Sequence, residues 1–310
     1  GIVDCLDPCP DWPYDCSDDG QTIFVTPAQD PIQSIADAIA GIPDGGTVKL
    51  LPGIFNQAVD FVGRPITIEG DALDPSLVVL DGTNIVESSV VRMVGGEGID
   101  SVLRGVTIRN GTSGNLFSNL RVGGAIHTLE SSPTIEDCVF EDNAAEYGGA
   151  VFAREGAPTF SRCIFRGNQA DFDGGGFQFA RTEGGMLDDC LFESNTAGRN
   201  GGAIHLFGGD PVMTNLTLIT NVAGDQGGGV SFASTEEGTS LTDSIVRENE
   251  SLVGGGVWIQ AIGTTAGIGD STICSNLSGQ VVGDYTDLNG NCILEECCDD
   301  LDDNGVPDAC

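Results

Sequence analysis

The acidic end of the chain, residues 284–310, holds the residues whose types and spacing have the clearest chemical meaning. A pattern with Asp or Asn at every second position occurs twice there, 13 residues apart. Ca²⁺ loops use oxygen side chains at positions 1, 3 and 5, a backbone carbonyl at position 7 and an acid at position 9. The pattern therefore predicts two calcium loops. The expected ligands are Asp287, Asn289, Asn291, Ile293 and Glu295 in the first loop, and Asp300, Asp302, Asn304, Val306 and Asp308 in the second.

The second loop is the better match, and it resembles thrombospondin type 3 and dockerin-like calcium repeats. In the first loop, Cys292 stands where Gly is usual. Cys297 and Cys310 occupy equivalent positions in the two copies, so we expect calcium and disulfides together to replace a core in so short a segment. Calcium is thus the expected cofactor. The alternative is an acidic tail without fixed structure.

A second set of candidates consists of carboxylates that recur at one position of an internal repeat. Asp137 and Asp189 are expected to lie two coils apart, at about 9.6 Å, which approaches the carboxylate separation of an inverting glycosidase. Arg162 occupies the same repeat position between them, and Glu141 and Arg166 begin a similar column. We interpret both columns as alternating salt ladders on the surface. Asp137 and Asp189 remain the catalytic residues of an alternative, polysaccharide-cleaving function.

A third candidate site is a column of aromatic and polar side chains, one from each coil, which we expect to face outward. Aromatic faces in line suit a sugar or a protein surface, so the column is a candidate contact strip for a cell-surface glycan or protein. Its two histidines are expected to be exposed and, at about 14 Å, too far apart to share a metal ion. A flanking stripe of Ala and Gly would let another copy of the chain approach. The strip is His127, Phe152, Gln178, His205, Ser231 and Trp258, and the stripe is Ala125, Ala150, Gly176, Ala203, Gly229 and Gly256.

All three columns follow from a repeat with intervals of 25 to 27 residues within 123–276. Each copy has a Gly pair, as in GGAI at 123–126, and a second motif, as in FEDN at 140–143. A period of this size indicates stacked units that bury their apolar faces against one another. We assign two strands to each coil. We expect the recurring Asn to form a ladder at a corner where Asn adopts left-handed dihedrals, and the recurring cysteines to be core residues.

The paired GGA-I/V and F-x-x-N motifs resemble those of the chlamydial polymorphic membrane protein repeats, a family of surface adhesins. More broadly, the chain resembles right-handed parallel β-helix proteins of the pectin-lyase-like kind. The run AIAGIPDGGTVKLLPGIF followed by RPITIEG resembles the opening helix and first coils of that superfamily. The resemblance covers residues 22–280 and implies an all-β fold, a right-handed parallel β-helix or solenoid.

The sequence divides into three predicted parts. Residues 1–20 form a cysteine-rich cap or tether, residues 21–283 form the β-helix, and residues 284–310 form the disulfide-linked calcium tail. A capping helix is predicted at 31–40, with Asp30 as N-cap, Pro31 at the first position and Gly41 as the stop. Such a helix would cover the open end of the stacked coils.

Composition limits the partners of the chain. A net charge of −35 argues against nucleic acid and anionic lipid and favours divalent cations. No apolar run reaches the roughly 18 residues of a membrane span, so we expect no membrane insertion. Cysteines grouped near the two ends are typical of an exported protein. The 11 arginines are dispersed in the sequence, unlike the positive groove that a uronan lyase needs.

We therefore predict a secreted, extracellular or cell-surface protein with a structural and adhesive role. It would be stabilised by calcium, and self-assembly into a surface layer or filament is one form of this role. The alternative is a lyase or glycoside hydrolase of the pectin-lyase-like superfamily.

Overall fold

The computed structural model describes residues 15–16, 20–27, 34–85, 88–113, 115–117, 120–260 and 265–297, with backbone alone at 15–16 and 115–117. Of the predicted cap at 1–20, the described part includes Asp15–Cys16, which pairs antiparallel with Thr22–Val25. The rest of that cap, apart from Gly20, lies outside the described residues. The predicted helix start at 30–33 and the whole second calcium loop also lie outside them.

The chain winds as a right-handed parallel β-helix, as predicted, and a full coil passes through four sheets in turn. A representative coil has Ile126–Leu129 in sheet A, Thr134–Glu136 in sheet B, Val139–Glu141 in sheet C and Ala144–Tyr147 in sheet D. Each strand pairs in parallel with its equivalent in the next coil. Identical repeat positions therefore form columns along the molecule.

The strand bounds follow the repeat. Sheet A contains Val59–Asp60, Val91–Met93, Ile126–Leu129, Val151–Arg154, Phe177–Thr182, Ile204–Gly209, Val230–Ala233, Val257–Ile259 and Val281–Val282. Sheet B contains Asp15–Cys16, Thr22–Val25, Thr47–Leu50, Thr67–Glu69, Val102–Arg104, Thr134–Glu136, Thr159–Ser161, Met186–Asp188, Val212–Thr214, Ser240–Thr242, Gly267–Gly269 and Thr286–Asp287. Sheet C contains Gly53–Phe55, Val78–Asp81, Thr107–Arg109, Val139–Glu141, Ile164–Arg166, Leu191–Glu193, Thr217–Ile219, Ile245–Arg247, Thr272–Cys274 and Cys292–Leu294. Sheet D contains Ala144–Tyr147, Gln169–Asp173, Thr196–Ala197 and Val222–Ala223, and a separate hairpin pairs Asn115–Phe117 with Leu120–Arg121.

The prediction of two strands per coil was wrong, because the second predicted strand is bent into two. Asp137, Arg162 and Asp189 adopt left-handed dihedrals, with φ of 53°, 52° and 51°. This bend separates sheet B from sheet C at each coil. The fourth strand, in sheet D, has no strong apolar alternation and was not predicted.

The core is the inside of the coils, and its columns agree with the sequence pattern. Phe140, Phe165 and Phe192 are buried with stacked rings, at centroid separations of 4.6 and 4.4 Å. The three repeat cysteines are buried free thiols, as expected of core residues, and burial raises the pKa of Cys138 to about 12.

The predicted Asn ladder is present at the corner between sheets C and D. In each step one side-chain amide donates to the carboxamide oxygen of the next, as from Asn168 Nδ2 to Asn195 Oδ1 at 2.9 Å. The left-handed residue at this corner is, however, the one before each Asn, such as Asp142 with φ 54°. The Asn itself stays buried and satisfies the turn.

The Ala and Gly stripe was wrongly expected on the surface. Ala125, Ala150 and Ala203 have no exposed area. A Cβ on Gly176 would lie 2.9 Å from the Phe192 ring, so this position points into the core. The stripe therefore gives self-assembly no docking surface.

A helix does lie near the start of the β-helix, between Thr22–Val25 and Thr47–Leu50, but its start differs from the predicted one. It spans Ile35–Gly41 rather than 31–40, and its N-cap is Ser34. Ser34 Oγ accepts from the N–H of Asp37 at 3.0 Å and donates to its carboxylate at 2.5 Å. This reciprocal cap fixes the start. Ile35 and Ile39 are buried and join the core, which is how the helix covers the first coils.

The coils continue past the predicted boundary at residue 283. Thr286–Asp287 extends sheet B and Cys292–Leu294 extends sheet C, so the segment predicted as a separate tail begins as one more coil. A disulfide joins Cys274 to Cys297 across this coil.

Candidate functional site

Two columns of side chains run along the outside of the molecule at the corner where sheet D turns into sheet A, and a pocket opens between them at Tyr147, Phe152 and Gln178. We refer to this corner as the corner groove. The first Gly of each pair makes this turn in the left-handed region, with φ of 57° at Gly123 and 71° at Gly174. A Cβ on Gly123 would collide with the carbonyl oxygen of Ile126, so the sharp turn requires Gly. This turn places the residue before each Gly pair next to the outward-facing residue of the strand that follows.

Two columns line this corner groove. Its floor is the predicted contact strip, and its wall is the column of residues that precede the Gly pairs. One pocket includes Tyr147 of the wall together with Phe152 and Gln178 of the floor, which places the two columns side by side. From His127 to Trp258 the floor crosses five strand spacings of about 4.8 Å, roughly 24 Å in all. The wall consists of Val122, Tyr147, Asp173, Asn200, Gln226 and Val253.

The prediction that the floor histidines are exposed was wrong. His127 and His205 each keep 4% of their surface, because the wall and the neighbouring floor residues cover them. Burial lowers the pKa of both imidazoles from 6.5 to about 4, and nearby Arg92 and Arg154 add to the effect at His127. Asp173 opposes the shift at His205. Both rings are therefore neutral at pH 7 and present one donor and one acceptor nitrogen.

Four floor residues carry buried polar atoms that have no hydrogen-bond partner within the described part of the chain. They are His127 Nδ1, Gln178 Oε1, His205 Nδ1 and Ser231 Oγ. Unpartnered buried polar atoms also occur outside the floor, at Arg92, Ser113, Thr128, Thr182 and Arg199, but there they do not follow one another along a column. An unpaired buried polar group costs about 1–3 kcal/mol, so four in one column require an explanation. A ligand or water that reaches these atoms when the covering side chains move aside supplies one.

A charged cluster stands above the middle of the floor. Arg199 donates to Asp173 at 2.6 Å, and its guanidinium lies over the Phe172 ring at 4.6 Å. Asn200 also donates to Asp173, at 2.9 Å. The carboxylate is 6% exposed and is already neutralised by this ion pair. The cluster therefore stiffens the wall beside His205.

The arginines are less dispersed in space than in sequence. Arg92 continues the floor column beyond His127, and Arg154 and Arg181 line the pocket that shares the floor. With Arg199, four of the 11 arginines of this acidic chain therefore lie around the groove. The coil brings together residues that are about 25 or more positions apart. This grouping of the arginines is therefore not visible in the sequence.

The alternative catalytic residues lie elsewhere. Asp137 and Asp189 occupy the corner between sheets B and C, diagonally across the coil from the groove. Arg162 donates to both carboxylate oxygens of Asp137, at 2.7 and 3.0 Å, while Asp189 is exposed. Arg166 likewise pairs with Glu141 at 2.5 Å. These are surface ion pairs, each worth about 0–1 kcal/mol.

The first predicted calcium loop uses its polar groups for the fold. Asn291 donates to the Ile268 carbonyl at 2.8 Å, and its oxygen accepts from the N–H of Ser271 at 3.2 Å. It also donates to Asp287 at 2.9 Å, so two of the expected ligands bond each other. Ile293 packs against the core. Asp287, Asn291 and Ile293 thus take part in the contacts of the last coil. No cluster of three His, Cys, Asp or Glu side chains that could hold a metal occurs among the described residues of 20–297.

Sequence reasoning found the floor but missed the wall. Asp173 and Arg199 were not singled out, because neither repeats in its column. The available signal was positional: every residue before a Gly pair is brought to the same corner.

The described part of the chain contains no apolar helix of membrane-spanning length.

Comparison with known proteins agrees with the architecture. Residues 71–223 match the family model described as "Right handed beta helix region". Among solved structures, the chain is similar to pectin methylesterase PemA from Erwinia chrysanthemi over 88% of this chain and 81% of that one, with 12% sequence identity and a TM-score of 0.40. A likeness of this size supports no conclusion about activity. None of the curated proteins matches the chain. The family match and the strand pairing agree on a right-handed parallel β-helix fold.

Proposed function

We propose that this protein is a secreted, structural and adhesive β-helix that binds an extended glycan along the corner groove without cleaving it. The column of four unpartnered buried polar atoms on the floor carries this proposal. A glycan offers hydroxyl groups at regular intervals that both donate and accept, which suits neutral histidine, amide and hydroxyl groups alike.

The aromatic residues of the groove support a sugar ligand. Phe152 and Trp258 are half-buried on the floor, and Tyr147 is half-buried on the wall. Such side chains present an apolar face to a ring while polar neighbours fix its orientation. The length of the floor, roughly 24 Å, favours an oligosaccharide over a single sugar.

Binding is favoured over cleavage by the placement of the acids. The carboxylate nearest the floor centre, Asp173, is held by Arg199 and Asn200. Asp137 and Asp189, the alternative catalytic pair, lie at the opposite corner. A lyase or glycoside hydrolase function remains the second candidate, and its support is the resemblance of the chain to pectin-lyase-like β-helix proteins rather than the geometry of the groove.

A secreted location and calcium binding belong to the same proposal. The disulfide between Cys274 and Cys297 supports an oxidising compartment. Calcium is proposed for the second loop, Asp300 to Asp308, on its sequence pattern. The small-residue stripe does not support self-assembly, because it is buried.

The test is a screen of immobilised neutral and acidic glycans, followed by calorimetry with the bound oligosaccharide. Ser231→Ala removes one unpartnered floor atom and should weaken binding about tenfold. Trp258→Ala should cost a similar factor through lost ring contact. Ser161→Ala, on the outer side of sheet B, is the matched control and should leave affinity unchanged.

Unchanged affinity in both floor variants would contradict the proposal. So would sustained product release from a bound glycan that Asp189→Asn abolishes, because that result would establish the enzymatic alternative.

A further inference from the structure

A pocket of about 340 Å³ opens beside the corner groove, between side chains of neighbouring coils. Its cause is Ala180, which pairs with Arg154 in one coil and Phe207 in the next. Strands about 4.8 Å apart normally bring such side chains into contact. The short Ala side chain instead leaves a slot between two long ones. The volume lies in the range of small-molecule sites.

The slot has apolar walls. Phe207 is 47% exposed and Leu120 is 43% exposed, so both present apolar surface to water. An aromatic ring that enters the slot removes this surface from water and meets other rings edge or face on. The apolar lining consists of Leu120, Val122, Tyr147, Phe152, Ala180 and Phe207.

Gln178 gives the pocket a polar end. It is 6% exposed, it lines the pocket, and its Oε1 has no hydrogen-bond partner within the described residues. Oxygen and nitrogen of a carboxamide exchange places by a simple flip of the group. A hydroxyl group suits either orientation, because it both donates and accepts.

Two arginines give the opposite end a positive charge. Arg181 makes no ion pair within the described part of the chain, and Arg154 pairs with its sequence neighbour Glu155 at 3.1 Å. A guanidinium group matches a carboxylate with two parallel hydrogen bonds. Glu130, Glu155 and Glu183 surround the adjoining cavity that Arg181 also lines, so a polyanion is repelled there and a single carboxylate is held only by direct contact with the guanidinium groups.

Both ends lie on one strand, with Gln178 three residues before Arg181, which adopts a left-handed dihedral with φ of 57°. A hydroxycinnamate carries its carboxylate on a two-carbon arm and therefore reaches farther from its ring than a hydroxybenzoate does. We propose that the pocket binds a small hydroxylated aromatic carboxylate, with the ring over Ala180, the hydroxyl at Gln178 and the carboxylate at Arg154 and Arg181.

Calorimetry of the whole protein with 4-hydroxycinnamate tests the proposal. Ala180→Leu fills the slot and should weaken binding at least about tenfold, and Arg181→Gln should weaken it about tenfold. Ala233→Leu is the matched control, because it lies in the same column beyond Phe207 and outside the pocket. It should bind as the parent does. Arg181 is exposed, so its variant stays informative if the Leu variant does not fold.

Two related ligands separate the contributions of the polar ends. 4-Hydroxycinnamyl alcohol lacks the carboxylate and cinnamate lacks the hydroxyl, and each should bind about tenfold more weakly than the parent acid. Absence of saturable binding up to about 10 mM, equal binding of the alcohol, or an Ala180→Leu variant with unchanged affinity would overturn the proposal. Gln178 belongs to both proposed sites, so Ala180→Leu separates them: it should weaken binding of 4-hydroxycinnamate and leave glycan affinity unchanged.

Discussion

Replacing Ser231 with Ala should stabilise the protein, although Ser231 is fully buried. Its hydroxyl has no partner within the described residues, and an unpaired buried polar group costs about 1–3 kcal/mol. Alanine keeps the Cβ and removes the unpaired group. The free energy of unfolding should therefore rise by about 1 kcal/mol or more, while glycan affinity falls.

The matched comparison is Asn195→Ala, a buried polar residue of the ladder with all its bonds made. Asn195 Nδ2 donates to the Phe165 carbonyl at 2.9 Å and to Asn221 at 3.0 Å. Its oxygen accepts from the backbone and side chain of Asn168, at 3.1 and 2.9 Å. The substitution leaves about three groups unpaired and should lower the free energy of unfolding by roughly 3–6 kcal/mol.

Urea unfolding at pH 7.5, followed by circular dichroism, measures both changes as shifts in midpoint at constant slope. Opposite signs for the two variants are expected. Loss of stability in Ser231→Ala comparable to that in Asn195→Ala would show that the serine hydroxyl serves the fold. The unpartnered atoms of the floor would then not indicate a ligand site.

Three further results are expected. Because the folded-state pKa of His127 and His205 is about 4 against 6.5 unfolded, stability should be full above pH 6.5 and fall as pH drops to 4. Between pH 7.5 and pH 5 the free energy of unfolding should fall by about 2 kcal/mol per histidine, and a His→Gln variant should lack its share of this loss. Equal pH profiles for the parent and the variants would refute the burial of these histidines. Reducing the Cys274–Cys297 disulfide, whose residues are 23 positions apart, should lower the free energy of unfolding by about 3 kcal/mol, and an unchanged midpoint would exclude a role in stability. EDTA should expose residues 298–310 to protease if the second loop binds calcium, and an identical digestion pattern would count against it.

The columns inside the coils could be predicted from the sequence because burial keeps each inward position apolar. Ile126 and Phe140 read as core for that reason, and the Asn ladder followed from one residue type at one repeat position. The coil path could not be predicted from the same pattern. Arg162 bends the chain with a left-handed dihedral at the position equivalent to Asp137, although Arg is not among the residue types enriched in that region.

The floor of the groove could be predicted from the sequence, but the wall could not, because the groove depends on contacts between repeats. Alternation showed that His205 points away from the core, but its burial comes from a wall in sheet D that has few sequence signals. Asn291 has a structural role that its spacing did not indicate. Its spacing fits a calcium loop, yet the last coil uses the same amide to complete a column with Ser271.

A crystal structure of the protein with its bound oligosaccharide tests the central claim most directly. Sugar hydroxyl groups should lie within hydrogen-bond distance, about 2.7–3.2 Å, of His205 Nδ1, Gln178 Oε1 and Ser231 Oγ, with a ring against Trp258. An oligosaccharide bound on another face, with these atoms still unpaired or bonded to water alone, would contradict the account.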